Sequence, residues 1–552
     1  MVEVMLSRVH PSPAHPTSLD QNPDFLHIED QISHCQRSLA TLKAQRNTFL
    51  PAVRLLPEVL AQVFRWCQVI AYQDEFDLNI SGKTFPYPWI TVTQVCRRWR
   101  EVALDTVGLW TTLRIRHPDQ AQHPLTQLVL ARSKAALLDI DVQSSSSYND
   151  SDSLLRIALP HLERARSITF KVSPSSLDNL RHELPTSLPL LTVLNVSMPG
   201  GPVYDCSTTL PDTVAPGLNS LIIKGYIIPW STRDFPPTLT HLEIIRNWRP
   251  KRGSTVGEVV QALSELKSLR QLVLQKVFAV HTVADAEPTT HAVLKHLEKL
   301  EVYDIAPITA AYLLDSLDVS SSTRILLYLS YHERLTPDIM PRLLPSLVAK
   351  VPAAAPIDTL IQHKSSIFMS NSASTWFCVE WTWPSDTEED STVMLLRDVS
   401  AQLLSASGCA TKITTLVVHS LLFLDANRAA WKTLLQLTPN VETLGFHSYS
   451  VPQASSAAKI LKVCSGSDAW LPKVKNLAFD DFSFRQNNCC VPGRPSFLET
   501  LCSAVAAAKI EEIQIRRCRA HMIDEYMVEH LKSVVGRVVW DVEDEKTFCS
   551  CF

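Results

Sequence analysis

The chain has 552 residues, 45% of them hydrophobic and 20% charged, with a formal net charge of −4. That composition is globular, and the near-balanced charge gives no global pull toward nucleic acid or an anionic membrane. No run approaches the ~18–20 apolar residues that a spanning helix needs; the richest stretch, Leu416 to Leu424, is broken by His419 and Ser420.

Residues 1–27 are proline-rich and show no period, so they are expected to be disordered. They also lack a secretory h-region. In residues 28–50, Ile28, Ile32, Cys35, Leu39, Leu42 and Phe49 then follow 4-3 alternation, with Arg46 the single polar break in the seam. The pattern predicts about three heptads of amphipathic helix. It suits either a short coiled coil that dimerises the chain or a helix packed on the neighbouring module, and an arginine in so short a seam favours the second.

Residues 51–113 form a small helical module. Pro57 suits the first turn of a helix, and Glu58 complements the positive end of its dipole. Val59, Leu60, Val63, Phe64 and Cys67 recur at helical spacing as one apolar stripe. A second helix carries Val92, Val95, Cys96, Trp99, Val102 and Ala103 on one face, with Arg97, Arg98, Arg100 and Glu101 on the other. So small a unit cannot hide all that surface by itself. The stripe meets either the rest of its own chain or a partner. Between the helices, residues 68–91 contain Asp74-Glu75, Ser81-Gly82 and Pro86-Tyr87-Pro88, which read as an inserted surface loop.

The ordered combination Leu55-Leu56-Pro57-Glu58-Val59-Leu60, Val63-Phe64, Val95-Cys96-Arg97-Arg98-Trp99-Arg100 and Leu109-Trp110 resembles an F-box, the helical module that docks on the Skp adaptor of cullin-based ubiquitin ligases. By that resemblance Leu55, Leu56, Pro57, Glu58, Leu60, Val63 and Phe64 carry most of the adaptor contact, with Val95, Cys96 and Trp99 in the same module.

Residues 114–160 read as a linker with a helix at Pro124 to Ser133 and a strand at Leu137 to Val142. From 161 to 545 a pattern apolar-x-x-apolar-x-apolar recurs. Its central positions are 194, 221, 242, 272 and 300, then 416, 444, 477, 513 and 538, with helical segments such as Val256–Leu266 and Ala429–Leu437 between. Units that each give one strand and cannot bury their apolar face alone predict an irregular leucine-rich-repeat solenoid, a horseshoe; a conventional α/β sheet domain is the alternative. The stretch 320–410 is irregular, with candidate strands at Arg324 to Leu329 and Trp376 to Trp381. Its acidic run from Asp386 to Asp390 reads as a solvated loop.

If those strands line a concave sheet, Asn195, Ile222, Glu243, Val273, Glu301, Val417, Gly445, Ala478, Gln514 and Val539 point outward. Lys224, Gln275, Tyr303, His419, His447 and Asp480 lie just beyond. The candidate target-binding set is Asn195, Lys224, Glu243, Gln275, Glu301, Tyr303, His419, His447, Asp480 and Gln514.

With 13 glycines the chain has no dinucleotide or phosphate-cradling loop, and it has no Gly-x-Ser-x-Gly elbow and no zinc-protease histidine pair. No catalytic residue, metal or cofactor is expected. Thirteen cysteines, several inside apolar patterns and none in a Cys-x-x-Cys pair, suit reduced thiols in the cytoplasm or nucleus. The clusters around Arg246–Arg252 and Arg516–Arg519 read as solvated loops or a protein-binding rim, with a nucleic-acid-binding repeat protein as the rival. Residues 546–552 form a tail whose Cys549-Ser550-Cys551-Phe552 fits a loose prenylation signal, but the acidic residues before it argue against lipidation at Cys549.

Taken together, the chain resembles F-box/leucine-rich-repeat proteins, including the fungal kind in which a heptad-like helix precedes the F-box. That resemblance implies a non-enzymatic substrate receptor bound to a Skp-type adaptor and through it to a cullin. A repeat scaffold without ligase role remains the alternative.

Overall fold

Proline marks where helices begin. Pro23, Pro51, Pro57, Pro88, Pro124, Pro174 and Pro307 each open a helical segment, where the missing N–H has no intrahelical partner to lose. The computed structural model describes residues 23–77, 87–116, 124–144, 151–180, 182–198, 215–226, 230, 235–246, 253–278, 290–330, 340–351, 357–363, 366–371, 375–381, 399–419, 428–447, 470–481, 497–518, 523 and 525–541. The chain divides into two compact units, Met1–Arg166 and Ser167–Phe552.

In the first unit, α1 (Pro23–Thr48) is followed by one helical turn, Pro51–Arg54, and by α2 (Pro57–Asp77). A 3-10 segment, Pro88–Gln94, leads into α3 (Arg97–Asp105). β1 (Thr112–Ile115), α4 (Pro124–Ser133) and β2 (Leu138–Gln143) come next, with β1 and β2 paired parallel. Asp141 closes that pair by accepting from both guanidinium nitrogens of Arg116, at 2.8 and 3.2 Å.

Two expectations change here. The region expected to be disordered ends earlier, since α1 starts at Pro23; the rest of it lies outside the described residues. Residues 68–91 are not one surface loop: α2 runs on to Asp77, and Tyr87 and Trp89 are buried. Gln68 is buried too, because its side-chain amide donates to Leu109 O at 3.1 Å. After residue 113 the expected helix and strand are α4 and β2, and Val129 of α4 joins the core formed by Leu60, Phe64, Trp89 and Trp110.

The second unit is built on a mixed, strand-rich sheet. Its first strands are β3 (Ala165–Lys171), β4 (Val193–Ser197), β5 (Ser220–Lys224), β6 (His241–Ile245) and β7 (Gln271–Gln275). β8 (Ala292–Leu294) leaves this series to pair with β10 (Leu317–Val319), whereas β9 (Lys299–Ile305) and β11 (Arg324–Leu329) continue it. Then come β12 (Thr359–Gln362), β13 (Ser366–Ser370), β14 (Thr375–Trp381), β15 (Thr415–His419), β16 (Thr443–His447), β17 (Asn476–Asp480), β18 (Glu512–Arg516) and β19 (Arg537–Trp540).

Neighbours pair parallel and in register, so Leu194, Leu221, Leu242, Leu272 and Leu300 form one ladder. Leu416, Leu444, Leu477, Ile513 and Val538 form another. Most of these side chains are fully buried, as are the flanking Leu239, Leu269, Val441, Ile244 and Phe479. The two ladders are joined through the irregular stretch, where β11–β14 and β12–β15 are parallel but β12–β13 and β13–β14 are antiparallel. The hairpin strands β12 and β13 are absent from the sequence reading, because they lack its leucine spacing.

The chain also leaves several strands the same way. Gly225, Lys276, Asp304, Asp481 and Arg517 all have positive φ, and each lies four residues after a central ladder position. Four of the five carry a Cβ, so the positive φ does not depend on glycine alone. Leu272→Ala should cost about 2–5 kcal/mol in urea unfolding of the second unit, as for a fully buried leucine. Val539→Ala, on an exposed position, should change it by less than about 1 kcal/mol.

Candidate functional site

The module around α2 is small but tightly determined. Leu60 and Phe64 sit on one side of the helix, and Trp89, Trp110, Val92, Ala103 and Leu109 pack over them. Trp89 and Trp110 meet edge to face at 5.1 Å, and Phe64 and Trp99 lie 5.1 Å apart. Two indoles of this aromatic core have their polar edges matched. Trp110 Nε1 donates to Ala103 O at 2.8 Å, and Trp89 Nε1 donates to the Tyr72 hydroxyl at 3.1 Å. The Tyr87 hydroxyl accepts from the Arg114 backbone N–H at 3.1 Å, and burial pushes its pKa up to about 12. The Arg114 guanidinium lies 3.6 Å from the centre of the Tyr72 ring, a cation–π contact. Arg98 of α3 donates to Leu55 O at 2.7 Å and so ties the start of α2 to the second helix.

An adjoining face of α2 is apolar as well, and it is open. Leu56, Val59, Val63, Trp66 and Ile70 recur at alternating steps of three and four along the helix, with Leu55 and Val69 beside them, and all are exposed. Leu56 is 66% exposed and Trp66 58%. Val95, just before α3, is also exposed. Contiguous apolar surface of this kind on a small module marks an interaction face.

The expected adaptor-binding residues therefore divide into three groups. Leu55, Leu56, Pro57, Glu58, Val63 and Val95 are exposed. Cys96 and Trp99 are half-buried: the Cys96 sulfur caps α3 by accepting from Trp99 N, and the Trp99 ring lies on Phe64. Leu60 and Phe64 are not available at all, being 0% exposed in the module's own core. The one stripe read from the sequence is two: the 60/64 positions face inward, and the 56/59/63/66/70 positions face out. Trp66, Val69 and Ile70 were missed, although continuing the 3-4 step from Leu56 reaches Trp66 and Ile70.

In the second unit, the outward sheet positions do come side by side. Asn195, Ile222, Glu243, Val273 and Glu301 are in register on adjacent strands, as are Val417, Gly445, Ala478, Gln514 and Val539. Their charges are largely paired with each other. Lys224 Nζ is 2.8 Å from Glu243 Oε1, and Lys299 Nζ is 2.9 Å from Glu301 Oε1. The Tyr303 and Tyr328 rings stack at 4.4 Å; burial and the nearby Glu301 carboxylate push the Tyr303 hydroxyl up to about 12. Asn195, Lys224, Glu243, Gln275, Glu301, Tyr303, Asp480 and Gln514 are partly accessible. Val273 and Gly445 are buried, and the space a Gly445 side chain would take is filled by Val417.

His447 departs from its expected role. It is 4% exposed and its Nδ1 lies 3.7 Å from Asp480 Oδ2. Burial alone would raise the Asp480 carboxyl, but His447 and the Arg517 guanidinium outweigh it and hold the acid well below the usual range. The His419 side chain lies outside the described residues. Among the described residues of the two arginine clusters, Arg246 and Arg517 are both engaged. Arg246 is buried with Nη1 donating to Val277 O, and Arg517 pairs with Asp480. The rest of the first cluster, Arg519, the acidic run at 386–390 and Cys549 lie outside the described residues.

Among the described residues no group of three or more His, Cys, Asp or Glu could hold a metal ion. No described helix is long and apolar enough to cross a membrane. Residues 57–116 match the F-box-like family, and no curated protein matches the chain. The chain thus carries an F-box-like domain, which implies binding to a Skp-type adaptor.

His241 and Glu243 give a pH test of the sheet face. Glu243 Oε2 lies 3.6 Å from His241 Nε2 and raises its pKa above the ordinary 6.5, helped by Gln271 on Nδ1. In return His241, with Lys224, lowers Glu243 to about 2. The histidine's contribution to stability is full below pH 6.5 and is lost as pH rises through its folded value. The glutamate's is full above 4.5 and is lost as pH falls toward about 2. Their joint contribution is therefore greatest between those two ordinary values. In an NMR titration His241 should titrate above 6.5 in the wild type, and Glu243→Gln should bring it down; equal values in the two chains would remove the pair as the cause.

Proposed function

We propose that this chain is the substrate-recognition subunit of a Skp/cullin/F-box-type ubiquitin ligase. The observation that carries the reading is the open apolar stripe on α2, inside the region that matches the F-box-like family. Leu55, Leu56, Val59, Val63, Trp66 and Val95 provide the adaptor face, with Pro57 and Glu58 at its edge. Leu60, Phe64 and Trp99 contribute from beneath by fixing the helix that presents it. The adaptor in turn joins the chain to a cullin.

The second unit is read as an irregular leucine-rich-repeat solenoid that binds a protein target. Its in-register parallel ladders support that reading, as does the repeated left-handed residue four positions after several strands' central leucines or isoleucine. The available part of the target face is Asn195, Lys224, Glu243, Gln275, Glu301, Tyr303, Asp480 and Gln514. Paired charges and half-buried aromatics suit the polar surface of a folded protein, since neither sign of charge dominates. On this reading the chain does no chemistry: it raises the local concentration of target at an enzyme that belongs to other chains, in the cytoplasm or nucleus.

Leu56→Asp combined with Val63→Asp should weaken capture of a purified Skp-type adaptor by at least about 100-fold in calorimetry. Circular dichroism should be unchanged, because both side chains are exposed. Leu60→Ala should act differently, lowering stability by about 2–5 kcal/mol through the core. Wild-type affinity in the double variant would reject the adaptor face assigned here.

A further inference from the structure

We propose that α1 pairs antiparallel with α1 of a second copy of this chain, as a two-stranded coiled coil. The sequence favoured a helix packed on the neighbouring module, but no residue of α1 is buried. Its side chains hydrogen-bond within the helix: Arg37 donates to Ser33 O, Thr41 donates to Arg37 O, and Gln31 bonds His27. An amphipathic helix with no buried residue is marginal in water.

The apolar seam is longer than the heptads first counted. Phe25, Ile28, Ile32, Cys35, Leu39 and Leu42 of α1, with Phe49 just past its end, alternate by steps of three and four, broken by Arg46, and every one is exposed. A seam at this spacing, open along its whole length, matches the a and d positions of a coiled coil.

Charge selects the occupant and its direction. The first part of α1 carries Asp24, Glu29 and Asp30, and the later part carries Arg37, Lys43 and Arg46. Parallel copies would set acid beside acid and base beside base, with the two Arg46 side chains facing each other in the seam. Antiparallel copies set each acidic half against a basic one. In the register that places Cys35 across from the partner's Leu39, Ile32 meets the partner's Leu42. Arg46 then lies across from the partner's Ile28, next to the partner's Glu29. Glu29 and the partner's Lys43 flank the same seam, and the two helix dipoles oppose. No residue of the α2 adaptor stripe is used, so the pairing stands apart from the ligase reading.

Sedimentation velocity of the full chain at micromolar concentration should show a dimer. Leu39→Asp should weaken association at least about 100-fold, since it removes an apolar contact from two equivalent layers, while leaving the fold and adaptor capture intact. Glu29→Lys should weaken it by about tenfold, and adding Lys43→Glu to the same chain should restore it. Direction is read by mixing an Ile28→Cys chain with an Arg46→Cys chain under mild oxidation. Mass spectrometry should find position 28 linked to position 46. A monomeric wild type, a dimer indifferent to Leu39→Asp, or links joining 28 to 28 and 46 to 46 would each overturn the proposal.

Discussion

The packing of Leu60 and Phe64 of α2 beneath Trp89 and Trp110 is the contact on which the rest of the first unit depends. A module of this size can bury one side of an apolar helix but not two. The aromatic core takes the inner side and locks it through the Trp110–Ala103, Trp89–Tyr72 and Gln68–Leu109 hydrogen bonds. With the helix rotation fixed, Leu56, Val59, Val63 and Trp66 have nowhere to go but outward. The interaction face is thus a by-product of core packing, and its residues can change without unfolding the module that displays them.

The second unit obeys a related rule with a different outcome. Each strand of the two parallel ladders sets its leucine or isoleucine against the same position of the next, so the apolar face is buried by neighbours together. On the outward face, apolar positions alternate with the charge pairs Lys224–Glu243 and Lys299–Glu301. Those pairs keep a broad, half-open sheet face soluble. They also give it a local pattern of donors and acceptors from which recognition of a protein surface can be built.

Much of this was legible because in-register strands bury the same apolar position from one strand to the next. The positions 194, 221, 242, 272 and 300 were found from leucine spacing, and they pair with one another in the structure. The β12–β13 hairpin was not found, since antiparallel strands joined by a short turn need no crossover helix and no leucine register. On α2 the difficulty was different. Apolar residues occupy both faces, so periodicity alone merged 56/59/63 with 60/64, and only the position of Trp89 and Trp110 separates them. His447 misled for a similar reason: its strand position faces out, but Asp480 and Arg517 close over it. Within the inserted segment, Tyr87 and Trp89 lie amid turn-forming residues that masked their role as core anchors.

The central claim is that the outer stripe of α2 is covered by an adaptor while its inner side stays sealed in the chain. Hydroxyl-radical footprinting with and without a Skp-type adaptor reads both sides in one experiment. The account predicts that Trp66, Leu56 and Val63 are oxidised in the free chain and protected in the complex, with Trp89 and Trp110 unreactive in both. Undiminished oxidation of Trp66, Leu56 and Val63 in an adaptor-saturated sample would contradict it.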